Sequence, residues 1–509
     1  MTRRLRPVPP RLPQQTARPL RLLLCVASPE DLDAERSRLD FEREEELLFT
    51  ALDRPLAQGS VAIDVTPDGC LETLLAYLDQ QIYHAVIMSM HGMPALPEQR
   101  PETWGLAFEE ARTYRTSPVT GRDLALRLDR LKRGHRPGLM LLSACRSARA
   151  EASATPLASI AETLHQRGVE RVLGMRLSVL DSAASVFGAE LFQLLADGYE
   201  DVGHAVALAR RKVAEGTWWQ GQSAAQTGSG DPYAQSAIPV LFDRTQDGPL
   251  LDLNQPRVLS PPLPRATLLP GDGSIRLPAR GAFIGRRREI RQYLHAFLDG
   301  HSPRLLLTGP GGVGKTTLAG LFMRALQEEV PETRFLGVQA PFQLDTLHNL
   351  VWQEAFDGTE EPALLPSIQA EPDLRTRLRR MLQSLARRSR PCAFVLDNLE
   401  SIQEVASLSV PPEHADSLWL VHQVCALPTP TRVLLTGRYA WRELPAEAVR
   451  ACPMPDAPYG DVLRRMQRLD WPASMSGAEK RQVYAVLGGV TVQAVTTGIT
   501  PRRATSERL

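Results

Sequence analysis

The chain has 509 residues, 43% of them hydrophobic and 23% charged, and its formal net charge is +1. That is room for two or three ordinary soluble domains, and the charge gives no global case for binding a specific nucleic acid or a membrane. No apolar run approaches the roughly 18 residues of a membrane span, and the run Leu22 to Val26 is too short for a secretory signal. The cysteines Cys25, Cys70, Cys145, Cys392, Cys425 and Cys452 are scattered, with no CxxC and no zinc spacing. This is the pattern of a reduced, cytoplasmic protein without structural disulfides.

Two proline-rich stretches punctuate the chain. Residues 1–19 carry Pro7, Pro9, Pro10, Pro13 and Pro19 and are expected to be disordered. Residues 255–280 carry Pro256, Pro261, Pro262, Pro264, Pro270 and Pro278 and read as a semi-extended tether. Residues 20–254, between them, alternate strand and helix. Leu20–Val26 reads as a buried strand, Asp40–Leu52 as an amphipathic helix, Val61–Val65 as a strand and Leu71–Gln81 as a helix. Ala85–Met90, Leu139–Ser143 and Val172–Met175 follow as strands, with a helix near Leu157–Arg167 before the last. Apolar strands alternating with helices predict an α/β fold with a largely parallel sheet covered on both faces.

In such a sheet, functional residues sit just past the carboxyl ends of strands. The third strand runs into His91-Gly92 and the fourth into Ala144-Cys145. A Cys beside a His is a nucleophile beside its base, because the imidazole favours the reactive thiolate. Gly92 lacks a Cβ, so its N–H can approach a substrate carbonyl and serve in an oxyanion hole with that of Cys145. A lone Cys after a strand is also a common small core residue, so the residues alone leave both readings open.

Several segments in order resemble the CHAT domain, a relative of the caspase and separase peptidases. They are Met88-Ser89-Met90-His91-Gly92, Gly105 to Glu110, Leu142 to Ala148, Val172 to Phe187 and Ala205 to Arg210. The interval of 145 − 91 = 54 residues is close to the roughly 50 quoted for the caspase His. The resemblance implies a caspase-like α/β sandwich over residues 20–254, with His91 and Cys145 as the catalytic pair. Asp181 either helps form the substrate pocket or caps the helix Ser182–Ala196.

In the C-terminal half, the strand Leu305–Thr308 leads into Gly309-Pro310-Gly311-Gly312-Val313-Gly314-Lys315-Thr316-Thr317 and then a helix, Leu318–Glu328. This is a phosphate-binding P-loop in its required strand–loop–helix setting. Backbone N–H groups freed by Gly309, Gly311, Gly312 and Gly314 converge on phosphates at a positive helix end. Lys315 would reach the β- and γ-phosphates of ATP or ADP, and Thr316 would hold Mg²⁺. Cys392–Asp397 is an apolar strand ending in an acid, and Asp397 would hold Mg²⁺ through water. Glu400 either polarises an attacking water or simply occupies a helix N-terminal position. The strand Thr431–Arg438 ends in Arg438, which either senses the γ-phosphate or is a solvated cation.

Phe283-Ile284-Gly285-Arg286 with Glu289, the P-loop, and Leu435-Thr436-Gly437-Arg438 resemble the STAND class of signalling ATPases, of the NB-ARC type. The resemblance implies a P-loop ATPase domain over residues 281–450 and a partial helical domain over residues 451–509. Leu487-Gly488-Gly489-Val490-Thr491 lacks the proline of that family's adenine-contacting turn. A truncated or frame-shifted product would account for this, and weakly held, exchangeable nucleotide is then expected. Together the resemblances imply a cytoplasmic, ATP- or ADP-regulated signalling protein with a cysteine endopeptidase domain. Its partners would be a protein or peptide substrate and, in a nucleotide-dependent way, further copies of itself. The alternative is a non-catalytic CHAT scaffold that binds a partner and assembles with nucleotide.

Overall fold

The computed structural model describes residues 15–32, 39–94, 104–132, 134–143, 156–175, 181–217, 232–243, 249–258, 265–279, 282–355, 365–387, 391–444, 448–468 and 475–487. Residues 1–14 of the arm, Cys145 and Gly488-Gly489 fall outside them; residues 15–19 are not disordered as expected, since Ala17 is buried and Thr16 O and Arg18 O accept Asp252 N and Val258 N, each at 2.8 Å. The chain divides into two units: Met1–Ser260 with Leu463–Gln482, and Pro261–Val462 with Val483–Leu509.

The first unit carries the strands β1 (Leu20–Val26), β2 (Val61–Val65), β3 (Ala85–Ser89), β4 (Gly92–Pro94), β5 (Trp104–Glu109), β6 (Thr116–Thr120), β7 (Leu139–Ser143), β8 (Arg171–Met175) and β9 (Pro239–Phe242). Six of them form a sheet in the order β2-β1-β3-β7-β8-β9. It is parallel except for β9, which runs antiparallel to β8. Strands β3, β7 and β8 are buried at every residue, as their unbroken apolar runs require, whereas edge strand β2 alternates buried and half-buried residues.

The helices are α1 (Phe41–Ala51), α2 (Asp53–Ala57), α3 (Leu71–Gln80), α4 (Gly121–Leu128), α5 (Pro156–Gln166), α6 (Asp181–Ala196) and α7 (Val202–Ala214). Local chemistry sets several starts: Asp40, Thr120 and Asp201 each cap a helix by accepting a backbone N–H from three residues on. One sheet face packs Leu23, Val86, Met88, Met140 and Leu142 against Leu74 and Leu78 of α3, Leu124 of α4 and Leu164 of α5. On the other face Leu24, Ile87 and Leu141 line a small cavity with Leu47 and Leu48 of α1 and Phe187 and Phe192 of α6. This is the sandwich expected from the pattern. The sequence reading omitted β6, β9 and the three-stranded antiparallel sheet β4-β5-β6, which is short and carries no periodic signal.

The second unit holds a five-stranded parallel sheet. Its strands are β12 (Arg304–Thr308), β13 (Arg334–Gln339), β14 (Cys392–Asp397), β15 (Arg432–Gly437) and β16 (Arg450–Pro453), ordered β13-β14-β15-β12-β16. Helix Lys315–Glu329 covers one face through Leu318, Phe322 and Leu326. Helices Leu374–Arg387 and Ala415–Cys425 cover the other through Leu378, Leu382, Leu420 and Val424. Strand β16 begins at the residue where the sequence reading ended its ATPase domain, so residues 450–453 complete this sheet.

The stretch read as a tether is in part structured. Thr267–Leu268 (β10) and Arg276–Leu277 (β11) pair antiparallel, and Leu269, Ile275 and Leu277 are buried in the second unit's core. This hairpin covers edge strand β13, with Gly337 N donating to Pro270 O at 2.8 Å and Asp272 N to Gly337 O at 3.1 Å. Proline content signals a stiff chain but cannot distinguish a linker from an edge cover. The contact needs two glycines: Gly271 has φ +137°, and a Cβ on it would stand 1.9 Å from Gly337 O. Gly271→Ala is therefore expected to destabilise the second unit by about 1–3 kcal/mol. Denaturant unfolding should show that unit's transition at lower concentration, with the first unit's unchanged.

Candidate functional site

At the rim of the first sheet, register brings β3 and β7 to the same level. Ser89 lies opposite Ser143, and Met90 N donates to Ser143 O at 3.2 Å. His91 follows immediately and is buried, with 7% exposure. Cys145 and residues 176–180 lie outside the described residues, so the geometry of the expected pair is not among them. Asp181 is the first residue of α6, and its side chain is likewise outside the described set.

The peptide joining His91 to Gly92 has a defined orientation. Its carbonyl, His91 O, accepts the N–H of Ala107 on β5 at 2.8 Å. Across a trans peptide the N–H points opposite to the carbonyl, so the Gly92 N–H is directed away from β5. An N–H directed away from the sheet partner, on a residue without a Cβ just past a buried strand, is the kind of donor an oxyanion site uses.

The antiparallel sheet also carries a buried acid to which the sequence reading gave no role. Glu109, 1% exposed, accepts Ser28 N at 2.6 Å through Oε1 and Gly69 N at 2.9 Å through Oε2. Ser28 follows β1 and Gly69 precedes α3, so one carboxylate holds two rim loops to the strand that also bonds His91 O. Each N–H left unpaired by its loss would cost about 1–3 kcal/mol. The clue was an acid inside an otherwise apolar strand, Trp104-Gly105-Leu106-Ala107-Phe108-Glu109.

In the second unit β12 ends at Thr308, and helix Lys315–Glu329 begins after Gly314, whose φ is +99°. The Lys315 ammonium is buried and donates to Gly309 O and Pro310 O, each at 2.9 Å. Burial lowers its pKa below the usual lysine value; Glu400 and Asp397 oppose the shift and Arg438 adds to it. A cation held by neutral carbonyls in a loop of left-handed glycines is matched to an arriving phosphate, which supplies the missing countercharge. Thr316 lies beside the loop, and Thr317 is exposed on the first helical turn.

Asp397, at the end of β14, is 6% exposed. Its Oδ1 accepts the Thr316 hydroxyl at 2.8 Å and also the Thr436 hydroxyl. Thr436 Oγ1 accepts Asn398 N at 3.0 Å, so this threonine fixes the acid-bearing turn. The sequence reading quoted Thr436 without giving it a function. Thr316 and Asp397 supply the oxygen donors that a hard divalent cation takes alongside phosphate and water. Glu400 lies in the first turn of the 3-10 helix Leu399–Ile402 and pairs with Arg438, Nε to Oε1, at 3.3 Å. Of the two expectations for Glu400, the helix N-terminal position is the one this geometry describes. The Arg438 side chain is 53% exposed, which puts the pair in the range of about 0.2–1 kcal/mol.

Arg286 ties this site together from behind. It adopts φ +59°, and its guanidinium is 5% exposed. It reaches Glu289 Oε1 at 2.8 Å, Pro455 O at 2.7 Å and, in the P-loop, Val313 O at 2.7 Å. The neighbouring Gly285 leaves room for Asp461, whose Oδ2 accepts Arg286 N at 3.3 Å; a Cβ at Gly285 would stand 1.8 Å from that oxygen. Among the described residues no helix is long and apolar enough to cross a membrane, and no cluster of three or more His, Cys, Asp or Glu forms a metal site.

Residues 2–247 match the CHAT domain family, and residues 282–410 match the AAA ATPase domain family. No curated protein matches the chain. Among solved structures, the Aeropyrum pernix ORC1 protein in complex with DNA aligns at 14% identity and a TM-score of 0.28, covering 37% of this chain and 49% of that one. A Pyrococcus horikoshii STAND protein with a tetratricopeptide repeat sensor aligns at 16% identity and a TM-score of 0.27, covering 41% and 28%. The Aeropyrum pernix ORC2 protein, in ADPNP and ADP complexes, aligns at 18% identity and a TM-score of 0.24, covering 39% and 54%. The chain thus spans about half, or less, of the length of these structures. The AAA ATPase match carries with it nucleotide binding, and the P-loop lies inside the matched residues. The chain is a CHAT domain fused to an AAA ATPase domain.

Proposed function

We propose that this chain is a caspase-like cysteine endopeptidase whose activity is set by ATP or ADP at its P-loop. The observation that carries the peptidase half is the His91–Gly92 peptide, anchored to β5 through its carbonyl so that its N–H is directed away from that strand. In this reading His91 takes the Cys145 thiol proton, and the thiolate attacks the carbonyl carbon of a protein or peptide substrate. Gly92 N–H meets the resulting oxyanion. His91 returns the proton to the leaving amine, and water hydrolyses the acyl-enzyme. In the other half, Lys315 and the loop amides bind phosphates, while Thr316 and Asp397 hold Mg²⁺. The protein works in the cytoplasm, and its nucleotide state sets assembly with further copies.

Thiol labelling tests the peptidase. Cys25, Cys70, Cys392, Cys425 and Cys452 are buried, and burial pushes the Cys425 and Cys452 thiols up to about 12. At neutral pH these thiols are protonated and shielded, so a chloroacetamide probe should label Cys145 far faster than the rest. Mapping by peptide mass spectrometry should find one modified cysteine, and His91→Ala should slow its labelling at least tenfold. Labelling spread over several cysteines, or a Cys145 as inert as the others with ATP and with ADP, would instead support a scaffold that binds a partner.

The nucleotide half has its own check. Lys315→Ala removes the ammonium that gathers the loop and leaves the core volume untouched. Calorimetric titration should show ADP and ATP affinity reduced by at least about 100-fold, as expected for a buried charge partner, with the far-UV spectrum unchanged. Equal affinity in variant and parent would remove the P-loop assignment.

A further inference from the structure

Resting on the nucleotide reading above, we propose that Glu400 sets the selectivity for ATP over ADP by competing with the γ-phosphate for Arg438. The Arg438 guanidinium lies against the phosphate loop: its Nη2 is 3.3 Å from where a Cβ on Gly311 would stand. Its Nε is paired with Glu400 Oε1 at 3.3 Å. The second carboxylate oxygen, Glu400 Oε2, is buried with no hydrogen-bond partner among the described residues. Glu400 thus holds a cation beside the loop with one oxygen while the other waits for a donor.

ADP ends at its β-phosphate, within reach of Lys315 and the loop amides, and leaves the pair intact. ATP brings a third phosphoryl group whose oxygens carry more charge than one carboxylate, and Arg438 is a half-exposed cation beside the loop. When Arg438 turns to the γ-phosphate, Glu400 loses its cation and its carboxylate is left facing the phosphate. Both oxygens are then available to accept from a water. The apparent ATP affinity is reduced by the fraction of molecules in which Arg438 is held by Glu400; ADP affinity carries no such factor.

Glu400→Gln keeps the shape and removes the competing charge. In calorimetry on the full 509-residue chain with Mg²⁺ and ATPγS, affinity should rise about 2–5-fold, the range set by a half-exposed ion pair. ADP affinity should change less than about twofold on the same scale. Direct repulsion between Glu400 and the γ-phosphate would also raise ATPγS affinity, and a double-mutant cycle separates the two. If Glu400 acts through Arg438, the gain disappears in an Arg438→Ala background, with Arg438→Gln as the substitute should the alanine variant fail to fold. A gain that persists there, or no gain at all, overturns the inference while leaving nucleotide binding in place. A parent chain that binds neither ADP nor ATPγS removes the nucleotide reading and this inference together.

Discussion

The register of parallel strands is the constraint on which both sites depend. Parallel neighbours deliver their following residues to one rim at matched heights. In the first sheet Ser89 lies opposite Ser143, so the His-bearing and Cys-bearing loops leave the sheet at one level. In the second, Thr308 lies opposite Gly437 and Pro453, so the phosphate loop, Arg438 and the chain contacting Gly309 start together. Asp397 ends β14 beside β15, where Thr436 reaches it. A one-residue slip would turn each core-facing side chain to the opposite face, and the tightly apolar packing on both faces of each sheet prevents it.

Around these rims, buried polar groups hold the loops that strands alone leave free. Glu109 fixes the Ser28 and Gly69 backbones, Ser89 Oγ donates to Glu44 Oε2 at 3.1 Å, and Arg286 fixes the P-loop through Val313. Glu109 and Arg286 are charged groups with several partners inside a low-dielectric setting, where removal of one partner is expensive. By contrast, among the described residues Lys315 is hydrogen-bonded to carbonyls of its own loop, and Arg438 to a half-exposed carboxylate partner. The firmly held residues define the cradle, and the loosely held cations are the ones a phosphate can recruit.

Much of this was legible in the sequence because the signals were local. Continuous apolar runs marked β1, β7 and β14 to the residue, and the glycine pattern with Lys315 and Thr316 marked the phosphate loop. What escaped depended on contacts distant in sequence. The β10–β11 hairpin looked like linker because its fitness as an edge cover lies in Gly337, more than sixty residues on. Glu109 and Thr436 appeared inside quoted motifs, yet their roles are bonds to Gly69 and Asp397, forty and thirty-nine positions away. Arg286 stands in a motif quoted for its resemblance alone, and its acceptors Glu289, Val313 and Pro455 are spread along the chain. Spacing rules see neighbours along the chain, whereas a satisfied buried charge is assembled across it.

A nucleotide can shift a conformational equilibrium only through contacts that differ between its states. In the proposed reading ADP engages Lys315 and the loop amides through its β-phosphate, and the γ-phosphate of ATP adds Arg438 and Glu400 to the groups that respond. Those two do not stand on independent supports: Gln403, just past the turn that carries Glu400, donates from Nε2 to Leu408 O and to Ala440 O, each at 3.0 Å. Ala440 is two residues beyond Arg438. The carboxylate's turn and the backbone following the arginine therefore share one side-chain amide, which packs with Oε1 buried and unpartnered. When the Arg438–Glu400 pair parts, the two segments it joined remain linked through Gln403. In the proposed switch the γ-phosphate's effect would therefore reach residues 398–410 and 438–444 as a unit, and would not be lost in the swing of a single side chain.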